Sequence, residues 1–201
     1  MKRPTLKIGS NPAIETILLM ALISVFAWLG RAIGFFEPFV LQPPITDGWW
    51  QLPLSVYAHS SPTHFLANAV VVLVAGGIIS IKATPLRFHI FFLLTGVISG
   101  TANVLVPGVS GESVAILGAS GAAFGLVGYL LVSNAVSARL FGRTSSRVAV
   151  SVFLALALWL TLVSSGVNVG NLAHFSGIII GGIAGYFNIL RSKRLVPSSS
   201  S

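Results

Sequence analysis

Six apolar stretches, each close to the length of a membrane-spanning helix, follow one another along this chain of 201 residues. A helix needs about 20 residues to cross the hydrocarbon of a bilayer. Charged residues make up 8% of the chain and hydrophobic residues 54%, too much apolar surface for a soluble domain of this length to bury. The sequence therefore predicts an all-α membrane protein with six transmembrane helices, at residues 12–36, 63–81, 86–106, 120–140, 148–165 and 171–190.

The basic residues orient these six spans. Eleven of the twelve Lys and Arg residues precede the first span, follow the sixth, or lie between spans 2 and 3 or spans 4 and 5 or at the facing ends of those spans. Only Arg31 falls on the other side, together with three of the four acidic residues. Because cytoplasmic loops carry an excess of Lys and Arg, both termini are predicted to be cytoplasmic. Residues 1–11 then form a cytoplasmic N-terminal segment, 12–190 the six-helix core and the Ser-rich 191–201 a disordered cytoplasmic tail.

Composition excludes several other classes of protein. The net charge of +8 comes from short basic clusters between apolar stretches, with no nucleic-acid-binding motif around them, so the expected partner is membrane lipid and not nucleic acid. The chain has no cysteine, which excludes disulfides, thiolate zinc sites and cysteine nucleophiles. Residues 12–36 are too long for the apolar region of a signal peptide and are expected to be retained. The expected location is the cell membrane, as a multi-pass protein of a prokaryote.

Polar groups within a span are costly and mark candidate functional sites, and four of them stand out here: His64, Asn68, Ser120 and His174. Near the span ends, hydration or capping accounts for four others: Asn103, Asn134, Asn171 and Asn188. The depth of the first four follows from the number of residues that separate them from the nearest cytoplasmic charge. At ~1.5 Å per residue, three of them lie ~26–28 Å from that charge, and Asn68 lies ~21 Å from it. Residues from three different spans thus reach similar levels in the outer half of the bilayer. The sequence predicts one site that is open to water from outside.

These residue types suit nucleophilic catalysis by serine. The hydroxyl of Ser120 needs a base to take its proton, and histidine is the usual base. The tetrahedral intermediate needs hydrogen-bond donors, which the side chains of His64 and Asn68 and the backbone N–H of Ser120 can supply. The one carboxylate within a predicted span, Glu15, lies near the cytoplasmic start of span 1 and away from the level of His174, so the arrangement would be a dyad and not a triad.

Small residues provide a way to bring the serine and the histidine together. Gly118 and Gly121 flank Ser120 closely and leave room for a substrate backbone. Two helical faces carry glycines at spacings that allow close helix contact: Gly121 and Gly125 in span 4, and Gly177, Gly181 and Gly185 in span 6. If these faces meet, Ser120 and His174 come together at the outer end of the contact.

Three separate motifs resemble those of the rhomboid family of intramembrane proteases, in its prokaryotic six-span type. Residues 64–68, HFLAN, match the HxxxN motif of the second span. Residues 118–121, GASG, match the GxSG motif that opens the fourth span, and residues 173–181, AHFSGIIIG, match the AHxxGxxxG pattern of the sixth. Each motif alone is weak, but their order within six spans is specific, and the resemblance covers nearly the whole chain.

The resemblance implies an intramembrane serine endopeptidase that cleaves single-pass membrane proteins within or near their transmembrane segment, without metal or other cofactor. It implies that Ser120 is the nucleophile and His174 the general base and acid, with His64 and Asn68 at the oxyanion. A rhomboid-like helical bundle is the expected fold. The sequence leaves the natural substrate and the oligomeric state open.

The resemblance also implies supporting roles for residues around the dyad. His59 matches a second histidine that is common in the family, with an expected structural or water-holding role. Phe124 stands where an aromatic residue, commonly Tyr, packs on the catalytic histidine, so ring stacking should survive without the hydroxyl. Gln51 stands where the family often has Arg, which leaves the bonding within its loop open. Span 5 would be a lateral gate beside span 2.

Two alternative functions compete with a protease. A catalytically inactive rhomboid-like protein would bind membrane proteins without cutting them, but such relatives usually lose the serine or the histidine, and this chain keeps both. A small transporter of polar solutes would be expected to carry carboxylates within its spans or broken helices near the middle of the membrane. Here the polar residues stop in the outer leaflet. Taken alone, each of these four polar residues could be a packing or hydrogen-bonding residue, but their convergence at one level favours a catalytic site.

Overall fold

A computed structural model describes residues 11–106, 115–133, 145–164 and 170–191. Within these ranges the chain is helical, and its β-pairing is limited to isolated bridges, as the all-α prediction requires. The helices are α1 (Pro12–Ala32), α2 (Gln51–Tyr57), α3 (Pro62–Ser80), α4 (Pro85–Leu105), α5 (Ser120–Ser133), α6 (Ser146–Val163) and α7 (Asn171–Tyr186). Between α1 and α2 the chain forms short 3₁₀ turns at Glu37–Phe39 and Ile45–Asp47.

Side-chain caps fix where the long helices begin. The side chains of Asn11, Ser61, Thr84 and Ser145 accept hydrogen bonds from backbone N–H groups in the first turns of α1, α3, α4 and α6. Each such cap typically stabilises a helix by about 1 kcal/mol. In α1, α3 and α4 the cap is followed directly by proline, whose missing N–H would have no partner at that position anyway.

Among the described residues, four helices are long and apolar enough to cross a membrane: α1, α3, α4 and α6. The chain is therefore an integral membrane protein with a helical bundle. Helix α5 is described from Ser120 to Ser133, the last described residue before residue 145, and α7 has 16 residues, which gives it a length of ~24 Å. The second half of the predicted span 120–140 lies outside the described residues, as do the predicted tail beyond Arg191 and the N-terminal segment before Asn11.

Two predicted spans were too long. Helix α1 ends at Ala32 and not at residue 36, because Gly34 takes a positive φ of 78° and the N–H of Phe35 turns back to the Gly30 carbonyl. Helix α7 ends at Tyr186 and not at residue 190, where the chain turns through Asn188 with a φ of 51°. Both helices end where a residue with positive φ breaks the helical path, a feature that apolar composition alone does not reveal.

Apolar side chains cover both the inside and the outside of the bundle. Phe88, Phe92, Met20 and Leu126 are fully buried and form part of its centre. Many equally large residues are exposed along α1 and α6, among them Leu18, Leu22, Phe26, Leu29, Leu154, Leu158 and Leu162. Water would make such a surface unfavourable, and lipid hydrocarbon is the environment that suits it.

Glycines allow α5 and α7 to pack with their backbones in contact. Gly177 faces the carbonyl of Gly121, and Gly181 faces the carbonyl of Gly125 one turn further along. A Cβ atom at Gly181 would lie 2.8 Å from the Gly125 carbonyl carbon and 2.9 Å from the Tyr129 nitrogen, closer than any side chain tolerates. The predicted glycine faces of spans 4 and 6 do meet, and this contact positions the two helices that carry the candidate dyad.

Candidate active site

Backbone contacts hold the segment that leads into α5. Ile116 and Leu41 form an antiparallel bridge, with both N···O distances at 2.9 Å. The N–H of Gly118 donates to the carbonyl of Ser55, in α2, at 2.8 Å. The loop between α1 and α3 is thereby fastened to the chain just before Ser120, which is the first residue of α5.

His59, between α2 and α3, is a fully buried part of the same anchor. Its Nδ1 lies 3.0 Å from the hydroxyl of Ser24 in α1 and 3.1 Å from the carbonyl of Tyr57. On the other side of the ring, Nε2 accepts a hydrogen bond from the N–H of Ala119 at 3.4 Å. A neutral ring with its proton on Nδ1 satisfies all of these contacts, so His59 ties α1 to the residue that precedes Ser120.

The pKa of His59 is lowered to about 3, chiefly because burial disfavours the charged ring. The neighbouring His64, whose ring lies edge-on with 5.1 Å between centroids, lowers the pKa further. The hydrogen bond to the Tyr57 carbonyl acts in the opposite direction and is outweighed. The ring is therefore neutral at physiological pH, as its hydrogen bonds require.

The His64 ring, in the first turn of α3, lies directly against Gly118. Gly118 has a φ of +124°, and a Cβ atom there would come within 2.6 Å of His64 Cε1. The Nδ1 atom of His64 lies 3.1 Å from the hydroxyl of Ser60. Asn68, one turn further along α3, is 6% exposed and donates from Nδ2 to the His64 carbonyl at 3.1 Å. The histidine thus lies beside the chain two residues before Ser120.

His174 lies in the first turn of α7 and is 5% exposed. Its ring stacks on Phe124, with 4.3 Å between the ring centroids and 14° between the planes. Its Nδ1 atom lies 2.9 Å from the hydroxyl of Ser164, the residue at the C-terminal end of α6. Residues from three helices therefore determine how this imidazole is oriented.

Ser120 and His174 lie at the same end of the α5–α7 contact. Phe124, one helical turn after Ser120, stacks on the histidine, and Gly121 packs against Gly177, three residues after His174. Within the described residues, no hydrogen bond joins the Ser120 hydroxyl to the imidazole. Catalytic hydrogen bonds are often long before substrate binds and shorten in the complex. A cavity of about 10 Å³, with room for about one water molecule, lies beside Ser120 and Gly121.

The sequence did not predict that two further polar residues belong to this site. One is Ser164, which no motif marks. The other is Asn103 of α4, where proximity to a span end suggested a capping or hydrated residue. Asn103 is 2% exposed, and its Oδ1 accepts a hydrogen bond from the Ala173 N–H in the first turn of α7 at 3.4 Å. It therefore caps a helix, but that helix is the neighbouring α7 and not its own α4. Among the described residues, its Nδ2 has no partner.

The Gln51 side chain makes bonds that the sequence left open. Its Oε1 atom accepts from the backbone N–H of Gln42 at 3.3 Å, and its Nε2 atom donates to the carboxylate of Glu37. Gln51 is 3% exposed. One neutral amide thus links α2 to the end of the loop that follows α1.

Fold and site together define a helical integral membrane protein in which a buried histidine and a serine lie at the same end of two packed helices. In the part of the chain that the structure describes, no group of three or more His, Asp or Glu side chains could hold a metal ion. The family model of the rhomboid domain matches residues 46–191, and the chain belongs to the rhomboid family, as its motifs indicated.

Two curated relatives match over most of their length. The chain is 23% identical over 177 residues to the rhomboid protease GlpG of Haemophilus influenzae, an alignment that covers 85% of this chain and 89% of that protein. It is 25% identical over 172 residues to the putative rhomboid protease YdcA of Bacillus subtilis, covering 85% of this chain and 80% of that protein. Both relatives carry the name of a protease.

Proposed function

We propose that the chain is an intramembrane serine endopeptidase that cleaves transmembrane segments of membrane proteins through a dyad of Ser120 and His174. The observation that carries this proposal is the position of the His174 ring, stacked on Phe124 one turn after the serine. Membership of the rhomboid family and two relatives named as proteases support it. The transporter and the inactive-binder alternatives gain no comparable support from the described contacts.

In the proposed first half-reaction, the Ser120 oxygen attacks the carbonyl carbon of the scissile peptide. The Nε2 atom of His174 takes the hydroxyl proton, since Nδ1 already lies at hydrogen-bonding distance from Ser164. The tetrahedral intermediate then collapses. Its C–N bond breaks, and the imidazolium gives its proton to the leaving amine, which leaves an acyl group on Ser120.

Three donors are proposed to stabilise the oxyanion. The N–H of Ser120 opens α5 and belongs to the first-turn N–H groups that have no partner within a helix. Asn68 uses one of its two Nδ2 hydrogens on the His64 carbonyl and retains the other. The ring of His64 lies against Gly118, close to the attacking residue. Loss of one oxyanion donor typically costs about 2.7–4 kcal/mol of transition-state stabilisation.

Water completes the proposed cycle. His174, neutral again after protonating the amine, takes a proton from water as the water oxygen attacks the acyl carbonyl carbon. The second tetrahedral intermediate expels the Ser120 oxygen, which regains its proton from the imidazolium. The products are a free amine and a free carboxylate, and the reaction needs no metal or other cofactor.

Helix α6 is proposed as the place where substrate enters from the lipid. Its buried residues are Ala157 and Thr161, whereas most of its large apolar side chains are exposed. It packs on α7 through Phe153, whose ring faces Gly182. A helix held by so little buried surface can separate from the bundle at low cost, which suits passage of a single-pass substrate.

The proposed topology has six spans, with both termini in the cytoplasm of a prokaryotic cell and the site open to the outer side of the cell membrane. The positions of Lys and Arg support this orientation. Helix α7, with 16 residues, would be a short span. Ser120, the first residue of α5, would lie in the outer half of the bilayer, as its distance along the predicted span from the cytoplasmic Arg139 indicates.

Cleavage of a single-pass transmembrane substrate by the purified chain in liposomes tests the proposal. Ser120→Ala and His174→Ala should each abolish cleavage, and Asn68→Ala should reduce turnover more than stability. Two matched controls should cleave at the wild-type rate. Ser80→Ala removes a hydroxyl that donates to the Gly76 carbonyl of the same helix, and His89→Gln replaces a ring that pairs with Glu15. Cleavage by Ser120→Ala at the wild-type rate would overturn the assignment.

A further inference from the structure

Ser164 connects α6 to the imidazole of His174 through a hydroxyl with two contacts. Its Oγ lies 2.9 Å from the carbonyl oxygen of Thr161 and 2.9 Å from Nδ1 of His174. Ser164 ends α6 with a φ of −87° and a ψ of 0°, and its backbone N–H donates to the Leu160 carbonyl. The side chain is therefore fixed at the helix end by backbone contacts, and its hydroxyl is directed at the histidine.

Hydrogen-bond donors and acceptors decide where the protons lie. A carbonyl oxygen only accepts, and a hydroxyl has one proton, so the two 2.9 Å contacts of Oγ can both be hydrogen bonds only if the Ser164 proton lies on the contact to the Thr161 carbonyl. The same Oγ can then only accept from Nδ1, and the ring proton of His174 must be on Nδ1. A neutral imidazole with its proton on Nδ1 has its lone pair on Nε2, which is the form a base needs in order to take the proton of Ser120.

We propose that Ser164 is a positioning residue that holds His174 in the tautomer able to act as the base, and that α6 must be docked for this to happen. The inference rests on the proposed function of His174 and adds a third member to the dyad. In a catalytic triad a carboxylate fixes the tautomer and orientation of the histidine. Here a neutral hydroxyl, polarised by the Thr161 carbonyl, performs the orienting part of that role without placing a charge in the membrane.

Docking of α6 and orientation of the base are coupled because one hydrogen bond joins them. The contact forms at the end of a helix that buries little of its surface. If that end moved away by about 1 Å, the distance from Ser164 Oγ to His174 Nδ1 would exceed the length at which a hydrogen bond persists. His174 would keep its stack on Phe124 but lose the partner that selects its tautomer. The base would then be correctly oriented only while α6 rests against α7.

The test compares Ser164→Thr with Ser164→Val, two residues of equal shape that differ in the hydroxyl. The full chain in liposomes is assayed for kcat and KM on a transmembrane substrate, and ¹⁵N-histidine spectra identify which ring nitrogen of His174 carries the proton. The Thr variant should match the wild type in both. The Val variant should lower kcat about 5- to 10-fold, the effect of one neutral hydrogen bond, leave KM within about twofold, and populate both tautomers. If either branched residue disturbs α6, Ser164→Ala, which only removes the hydroxyl, is compared with the wild type in the same assays.

Each outcome decides the inference. Equal kcat in the Thr and Val variants, with the proton on Nδ1 in both, would overturn it. So would a wild-type spectrum with the proton on Nε2, since Ser164 would then be the donor. If the wild-type chain cleaves no substrate, the proposed function fails, but the spectra still show whether the hydroxyl sets the tautomer. Loss of activity with KM raised and the tautomer unchanged would make Ser164 a structural residue of the gate and refute the positioning role.

Discussion

The ring of His174 lies nearly parallel to the ring of Phe124, with 4.3 Å between their centroids and an angle of 14° between their planes. This contact joins the first turn of α7 to the second turn of α5. It fixes the plane of the imidazole, whereas the bond to Ser164 fixes its rotation within that plane. The two contacts together leave the histidine little freedom.

Replacing Phe124 tests how much of the activity depends on this stack. Phe124→Leu keeps an apolar side chain but loses the ring, and an aromatic pair of this kind contributes about 0.5–1.5 kcal/mol. We expect kcat for cleavage to fall about 3- to 10-fold with little change in KM. Phe124→Tyr is the control and should retain wild-type kcat. A Leu variant as active as the Tyr variant would show that the stack does not position the base.

Gly181→Ala tests the contact between α5 and α7. The added Cβ would lie 2.8 Å from the Gly125 carbonyl carbon, and backbone atoms of a packed helix cannot move away cheaply. We expect destabilisation of about 1–3 kcal/mol, measured by thermal unfolding in detergent. Gly77→Ala is the matched control in α3, because nothing lies within 4 Å of its Cβ position. That change should leave the melting temperature equal or slightly higher, since Ala favours helix over Gly. Equal melting temperatures for the two variants would contradict this packing.

The conformation of Gly118 should be essential for activity. A side chain there would meet His64 and would also have to adopt a φ of +124°. Gly118→Ala should therefore displace the His64 ring and lower cleavage at least about 10-fold, the loss expected for a disturbed oxyanion donor. Gly34 separates the cost of an unfavourable φ from the effect of the contact with His64. Its φ is +78°, but nothing lies within 4 Å of its Cβ position. Gly34→Ala should cost stability without lowering kcat. Equal kcat in both variants would remove His64 from the oxyanion site.

The pKa of His59 predicts how stability depends on pH. The folded-state pKa is about 3, and that of an unfolded histidine is about 6.5, so between these values the unfolded chain binds a proton that the folded chain does not. The stabilisation from neutral His59 is present above pH ~6.5 and is lost as the pH falls towards 3. The melting temperature of the wild type should fall from pH 7 to pH 5. His59→Gln, which cannot titrate, should show a smaller fall, and an equal fall in both would contradict the account.

Helical periodicity made part of this site predictable. Gly177 and Gly181 recur at helical spacing on the face that carries His174, so the sequence alone indicated which face of α7 meets α5. The motif around Ser120 marked that residue as the candidate nucleophile, because all of the motif's residues are neighbours in the chain. The helix ends at Ala32 and Tyr186 were less predictable, because positive φ angles and not hydropathy set them.

Contacts between distant residues were not predictable. Ser164, at the end of α6, bonds His174 in α7, and Asn103 reaches Ala173 from a different helix. Polar residues near span ends are common, and nothing in their spacing distinguishes a partner of the base from a hydrated residue. The pairing of Gln51 with Glu37 was hidden similarly, because it depends on how a loop of irregular structure folds back on α2.

Labelling with a serine-reactive fluorophosphonate tests the central claim most directly, because it reports on the nucleophile without a substrate. The wild-type chain in lipid should form one covalent adduct, which mass spectrometry of the digested protein locates on Ser120. Ser120→Ala and His174→Ala should remain unlabelled, while Ser80→Ala should label like the wild type. An adduct on another residue, or equal labelling of the wild type and Ser120→Ala, would contradict the account.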